Sequence, residues 1–192
     1  MCMSRLHPKY LIFPSMILSA VVLLLISNSV AVNHLTQIGA SINSSPDLSN
    51  SNQRIDHLSK EYPESIQKWR EEIERSAKQY NLDPNLIAAV MLQESGGQPS
   101  VISSSGAVGL MQIMPKDGIA SGFICGIEPC FKNRPAIQEL LDPNFNVVYG
   151  ARMLSGLMRT SGSMRAALKA YGPMDVGFSY ADLVLSIYSK KN

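Results

Sequence analysis

Glu94 ends an apolar run, Leu86 to Gln93, and a glycine-rich stretch follows it at once. That stretch reads Glu94-Ser95-Gly96-Gly97 and then Ser103 to Pro115, with Gly106 and Gly109 inside it. Val90 and Met91 lie four and three residues before Glu94, so the three share one face of a helix. Packing that face into a core drives the carboxyl toward apolar surroundings, where its charged form is costly and its pKa rises. A carboxylic acid that keeps its proton near neutral pH, beside an open loop, can act as a general acid. An ordinary helix-terminal Glu would extend into water, but a negative charge at a helix C-terminus opposes the macrodipole. The position therefore asks for a reason, and the loop suggests one.

Other chemistries have few residues to work with. All three histidines, His7, His34 and His57, precede Tyr62, where the folded domain is predicted to begin. This disfavours a Ser-His-Asp triad, a Cys-His nucleophile and the usual His-containing zinc sites. Only Cys125 and Cys130 fall within the domain, too few for a structural zinc, so no metal and no cofactor are expected. The 17 Lys and Arg nearly balance 15 Asp and Glu, for a net charge of +2 without a basic stripe, which gives nucleic acid no footprint. Carboxyl groups are the leading candidates. No second acid lies between Glu94 and Asp117, and Asp117 is read as a surface residue or a helix cap.

The elements that must position Glu94 are helical. Pro63 can open a helix running to about Tyr80, with Ile66, Trp69, Ile73, Ala77 and Tyr80 as its apolar stripe. Asp83 caps a second helix with Pro84 at its start, leading to Glu94. A short third helix is predicted over 108–114, then others over 135–141, 143–159, 163–170 and 180–189. No useful length of strand alternation appears, so the fold class is mostly α. The 192 residues suit one modest domain, 62–192, behind a Ser/Asn-rich flexible linker over 33–61. Residues 1–32 carry Arg5 and Lys9 ahead of an apolar run from Leu11 to Ile26. That pattern is either an export signal cleaved after Ala31 or a retained membrane anchor. Either way the domain is expected outside the cytoplasm, in the periplasm or cell envelope. There Cys125 and Cys130 can close a local disulfide, the alternative being two free thiols.

The stretch from Glu94 to Pro115 resembles the signature of the soluble lytic transglycosylases, a lysozyme-like family (glycoside hydrolase family 23 type) that cleaves peptidoglycan glycan strands. The pattern is Glu-Ser-Gly-Gly, Ser103, then Gly106-Ala107-x-Gly109-Leu110-Met111-Gln112-Ile113-Met114-Pro115. It continues through Asp142-Pro143-x-x-Asn146, Gly150 to Leu154, Ala167-Leu168-x-Ala170-Tyr171 and a final helix from Tyr180 to Tyr188. The resemblance implies a lysozyme-like helical domain with a glycine-rich active-site loop. It implies Glu94 as sole acid/base at the bond between N-acetylmuramic acid and N-acetylglucosamine, leaving 1,6-anhydromuramoyl ends. Ser103, Gly106, Gln112, Met114 and Tyr171 then match substrate-cleft positions, although a Met on a short helix is more often core. Gly172 departs from the family's Ala-Tyr-Asn motif, standing where Asn is usual. Two alternatives remain at this point: a goose-type lysozyme relative that uses water, and a catalytically weak glycan-binding or assembly relative. A monomer acting on glycan strands is expected, either in general wall turnover or beside a secretion or conjugation apparatus.

Overall fold

Helix boundaries follow the capping chemistry. The computed structural model describes residues 57–191, so the expected export segment and residues 33–56 of the expected linker lie outside the described residues. Seven α-helices form among the described residues. Helix α3, Pro84–Ser95, begins where the Asp83 carboxylate accepts the Asn85 amide at 2.8 Å, with Pro84 preset for the first turn. Residues Leu86 to Met91 are all buried, so α3 is enclosed on every side and forms the centre of the core. Gly96, in the left-handed conformation at φ 61°, ends it.

Around α3 lie α2, Arg70–Tyr80, and α7, Ser179–Lys191. Two hydrogen bonds fix α7 antiparallel to α3. Tyr180, in the first turn of α7, reaches Glu94 at the end of α3, and Tyr188, further on, reaches Asp83 at its start at 2.7 Å. Helix α5, Pro143–Thr160, is capped by the Asp142 carboxylate on the Phe145 amide and packs against α2. It also packs against α6, Met164–Tyr171, which Ser163 caps through the Ala166 amide, and against the short α4, Ile137–Leu140. The Asp117 carboxylate accepts the Ile137 amide at the start of α4, at 2.9 Å. Leu58 and Tyr62 are both buried in the core, and Tyr62 donates to the Asn85 carbonyl. No described helix is long and apolar enough to cross a membrane.

Two expectations need correction. The first helix is two: α1, Glu64–Gln67, stops before Trp69, whose backbone leaves the helical region and whose indole N–H donates to the Gly97 carbonyl at 2.9 Å. The anchor on the loop after α3 turns the chain. Residues 108–114 form no helix; Val108 instead makes antiparallel bridges to Ile102 and Ile113. Gly109 at φ 77° and Gln112 at φ 45° make tight turns that a right-handed helix excludes. The fold is mostly α as expected, with one short hairpin among the described residues: β1, Ile124–Cys125, pairs antiparallel with β2, Glu128–Pro129. Two-residue strands leave no alternation to read. Gly126 gives the positive φ for the turn, and the predicted disulfide between Cys125 and Cys130 closes the hairpin with Cα atoms 4.9 Å apart.

Candidate active site

Glu94 is half-buried at the C-terminal end of α3. Burial pushes its carboxyl from an ordinary 4.5 up to about 7, and the hydrogen bond from Tyr180 partly opposes that rise. The Tyr180 hydroxyl donates to Glu94 Oε1 at 2.6 Å. Burial and the nearby carboxylate both hold the Tyr180 phenol far above its usual range, so it stays a donor. An acid poised near neutrality with a fixed neutral donor can both give and take a proton.

The loop after Glu94 is held in place by a set of hydrogen bonds. The Ser95 hydroxyl donates to the Leu110 carbonyl at 2.8 Å and accepts the Gly97 amide at 3.1 Å. Gly97, at φ 85°, lies so close to α1 that a Cβ would stand 2.1 Å from the Ser65 carbonyl oxygen. Farther on, the wholly buried Asn146 of α5 clamps the returning strand. Its Oδ1 accepts the Met111 amide at 2.8 Å, while Nδ2 donates to the Val108 and Leu140 carbonyls, each at 2.9 Å. Gly109 gives that amide its space, since a Cβ there would fall 2.4 Å from Asn146 Nδ2. Gly150 lets α5 approach Met111 in the same way. Much of the sequence signature thus serves to fix a loop of positive-φ turns against α5.

The predicted site residues divide accordingly. Ser103 accepts the Ala107 amide through its hydroxyl at 3.0 Å, bracing the tight turn that contains Gly106. Gly106, at φ 88°, is buried against Ile119 and Ala120 of the 3-10 turn Gly118–Gly122. Gln112 spends its side-chain amide on the Val101 and Gly109 carbonyls, at 3.2 and 2.9 Å. Met114 is half-buried. Tyr171, at the end of α6, donates to the Met111 carbonyl at 3.0 Å. Its phenol is held well above the usual range by burial first, then by the Glu94 charge, with Arg134 opposing. Tyr171 is therefore near the acid electrostatically but spends its proton on the loop. Among the described residues, none of these five hydrogen-bonds Glu94.

Tyr180 is the residue that sequence reasoning missed. In the sequence it is only the start of a terminal helix, and nothing local in Ser179-Tyr180-Ala181 signals a partner 86 positions away. The Cys125–Cys130 hairpin stands exposed, with Ile127 at its tip almost fully accessible. Among the described residues, no group of three or more His, Cys, Asp or Glu is placed to hold a metal ion.

The model of the transglycosylase SLT domain matches residues 71–177, more than half of the 192-residue chain. The chain belongs to the SLT domain family. Its SLT domain is similar to endo-type membrane-bound lytic murein transglycosylase A of Klebsiella pneumoniae, 39% identical over 87 residues that cover 45% of this chain and 41% of that protein. It is similar also to membrane-bound lytic murein transglycosylase E of Buchnera aphidicola, 36% identical over 95 residues, 50% of this chain and 42% of that one. A transglycosylase of Enterobacteria phage PRD1 is 36% identical over 103 residues, 54% and 34% of the respective chains. The chain therefore spans between about a third and two fifths of the length of these curated relatives. Among solved structures, an inactive mutant of lytic transglycosylase Slt from Pseudomonas aeruginosa aligns over 64% of this chain and 24% of its own, with 26% identity and a TM-score of 0.48.

Proposed function

We propose that this SLT domain is a peptidoglycan lytic transglycosylase that cleaves the β-1,4 bond between N-acetylmuramic acid and N-acetylglucosamine. The observation that carries this reading is a half-buried Glu94, its pKa lifted to about 7, at the end of α3 where the SLT-domain loop begins. At that value both protonation states are populated near neutral pH, which suits a group that must serve twice. Protonated Glu94 gives its proton to the glycosidic oxygen as the bond to C1 breaks. The resulting carboxylate stabilises the positive charge on the sugar ring, helped by the Tyr180 donor that keeps it in place. It then takes the proton from the muramoyl C6 hydroxyl as that oxygen closes on C1, giving a 1,6-anhydro end. No water is consumed and Glu94 recovers its proton. The nucleophile belongs to the same sugar, so its effective concentration is high and no second carboxylate is needed.

Ser103, Gly106, Gln112, Met114 and Tyr171 are proposed to line the cleft. Gln112 and Tyr171 contribute shape through their bonds to the loop, and Ser103 retains a hydroxyl proton for a sugar acetamido group. The names of the relatives support a cell-envelope location, and residues 1–32 are proposed to deliver the domain there by export or anchoring. The test is digestion of purified sacculi followed by mass analysis. Anhydromuramoyl products, each lighter by one water than the hydrolytic product, are expected. Glu94→Gln should reduce their release by roughly 10²- to 10⁴-fold. Reducing ends would support a water-using hydrolase instead, and undiminished clearing by Glu94→Gln would refute the assignment of the acid.

A further inference from the structure

Gly172 is the one departure from the family's aromatic motif, and its backbone gives no reason for glycine. At φ −75° and ψ −172° it caps α6 in an extended conformation open to any residue. The reason is space. A Cβ at Gly172 would stand 2.3 Å from Cδ1, 2.4 Å from Cγ and 2.9 Å from Cε1 of Tyr180. These are atoms of a rigid ring, which cannot fold out of the way as a long side chain would. The ring is buried, only 7% exposed, and its hydroxyl is tied to Glu94 Oε1. The ring thus occupies the volume into which any side chain at position 172 would extend.

We infer that Gly172 is a positioning residue for the acid: its missing side chain is the space in which the Tyr180 ring must stand to reach Glu94. This rests on the proposed role of Glu94. An ordinary carbon contact requires about 3.5 Å or more, so a Cβ at Gly172 forces the ring back by roughly 1 Å. A displacement of that size exceeds the margin between the 2.6 Å bond and the ~3.2 Å limit of a good hydrogen bond, so the contact with Glu94 is stretched or misaligned. Restoring the family's Asn would consequently disable this site rather than improve it. The glycine and the tyrosine work as a pair.

The experiment compares Gly172→Ala, Gly172→Asn and Tyr180→Phe with the unaltered protein, each full-length, with Glu94→Gln as control. Carboxyl-carbon NMR follows the titration of Glu94 and needs no substrate; release of muropeptides from sacculi is measured against pH. The Tyr180 bond favours the ionised acid, so losing it moves the Glu94 titration to higher pH. Both Gly172 variants are expected to show that upward move, matching Tyr180→Phe, and to lose rate roughly 10- to 100-fold at pH 7 because the acid is no longer oriented, although more of it is protonated. In the Tyr180→Phe background, Gly172→Ala should reduce the rate no further. If Gly172→Ala does not fold, Gly172→Ala/Tyr180→Ala removes the ring it collides with and should fold as Tyr180→Ala does; failure of that rescue overturns the inference. An unchanged titration and rate in Gly172→Asn also overturns it, while leaving the acid assignment intact. Full activity of Glu94→Gln sinks the functional reading instead.

Discussion

Glu94→Gln should stabilise this protein in proportion to how strongly the fold resists the charge it removes. The folded chain holds Glu94 at about 7 against an ordinary 4.5. At about 1.4 kcal/mol per pH unit, that gap corresponds to about 3 kcal/mol. Below pH 4.5 the carboxyl is protonated in both folded and unfolded chains, and its contribution to stability is complete. Between 4.5 and 7 the unfolded chain releases the proton while the folded one retains it, so stability falls as pH rises. Above 7 the folded chain carries the buried charge and the full amount is lost. Gln has nearly the same shape, accepts the Tyr180 hydrogen bond through its own oxygen and never ionises. Urea or thermal unfolding from pH 4 to 8 should show the two proteins nearly equal at pH 4. Their difference should grow to about 3 kcal/mol in favour of Glu94→Gln at pH 8, a rise in Tm of about 10 °C for a domain of this size. A difference that does not change with pH would refute the reasoning, as would a less stable variant at pH 8.

Activity should carry the same titration with its own sign: the rate on sacculi falls about tenfold per pH unit above about 7, as the acid loses the proton it must donate. Asn146→Ala removes three buried hydrogen bonds and leaves a cavity beside the loop, and is expected to cost about 3–5 kcal/mol of unfolding free energy by urea titration. Reducing the Cys125–Cys130 bond releases a loop of few residues, about 2 kcal/mol by chain entropy. Because the hairpin is exposed, that loss should appear as faster proteolysis within 118–134, with Tm nearly unchanged.

The helices were legible where their ends carry local chemistry. Asp83-Pro84, Asp142-Pro143 and Ser163 each announce a cap, and α3, α5 and α6 begin there. What escaped depends on distant partners. The break at Trp69 follows from a carbonyl 28 residues later, and nothing in the helical stripe around it gives notice. The turns over 108–114 take their shape from Asn146 on another element. The site follows the same division. The apolar face before Glu94 foretells a raised pKa, because burial of that face is local information. The identity of its partner is not, since Tyr180 matters only once α7 lies antiparallel along α3 and Gly172 leaves its ring a place.

That antiparallel pairing also sets when the proposed acid becomes complete. Glu94 is synthesised long before Tyr180, and the two meet only after α7 docks along α3. A nascent or clipped chain that ends anywhere between them holds the acid without the donor that orients it. Docking of α7 is then an assembly checkpoint. Cuts that separate residue 94 from residue 180 are therefore expected to abolish the proposed activity, as measured by muropeptide release from sacculi.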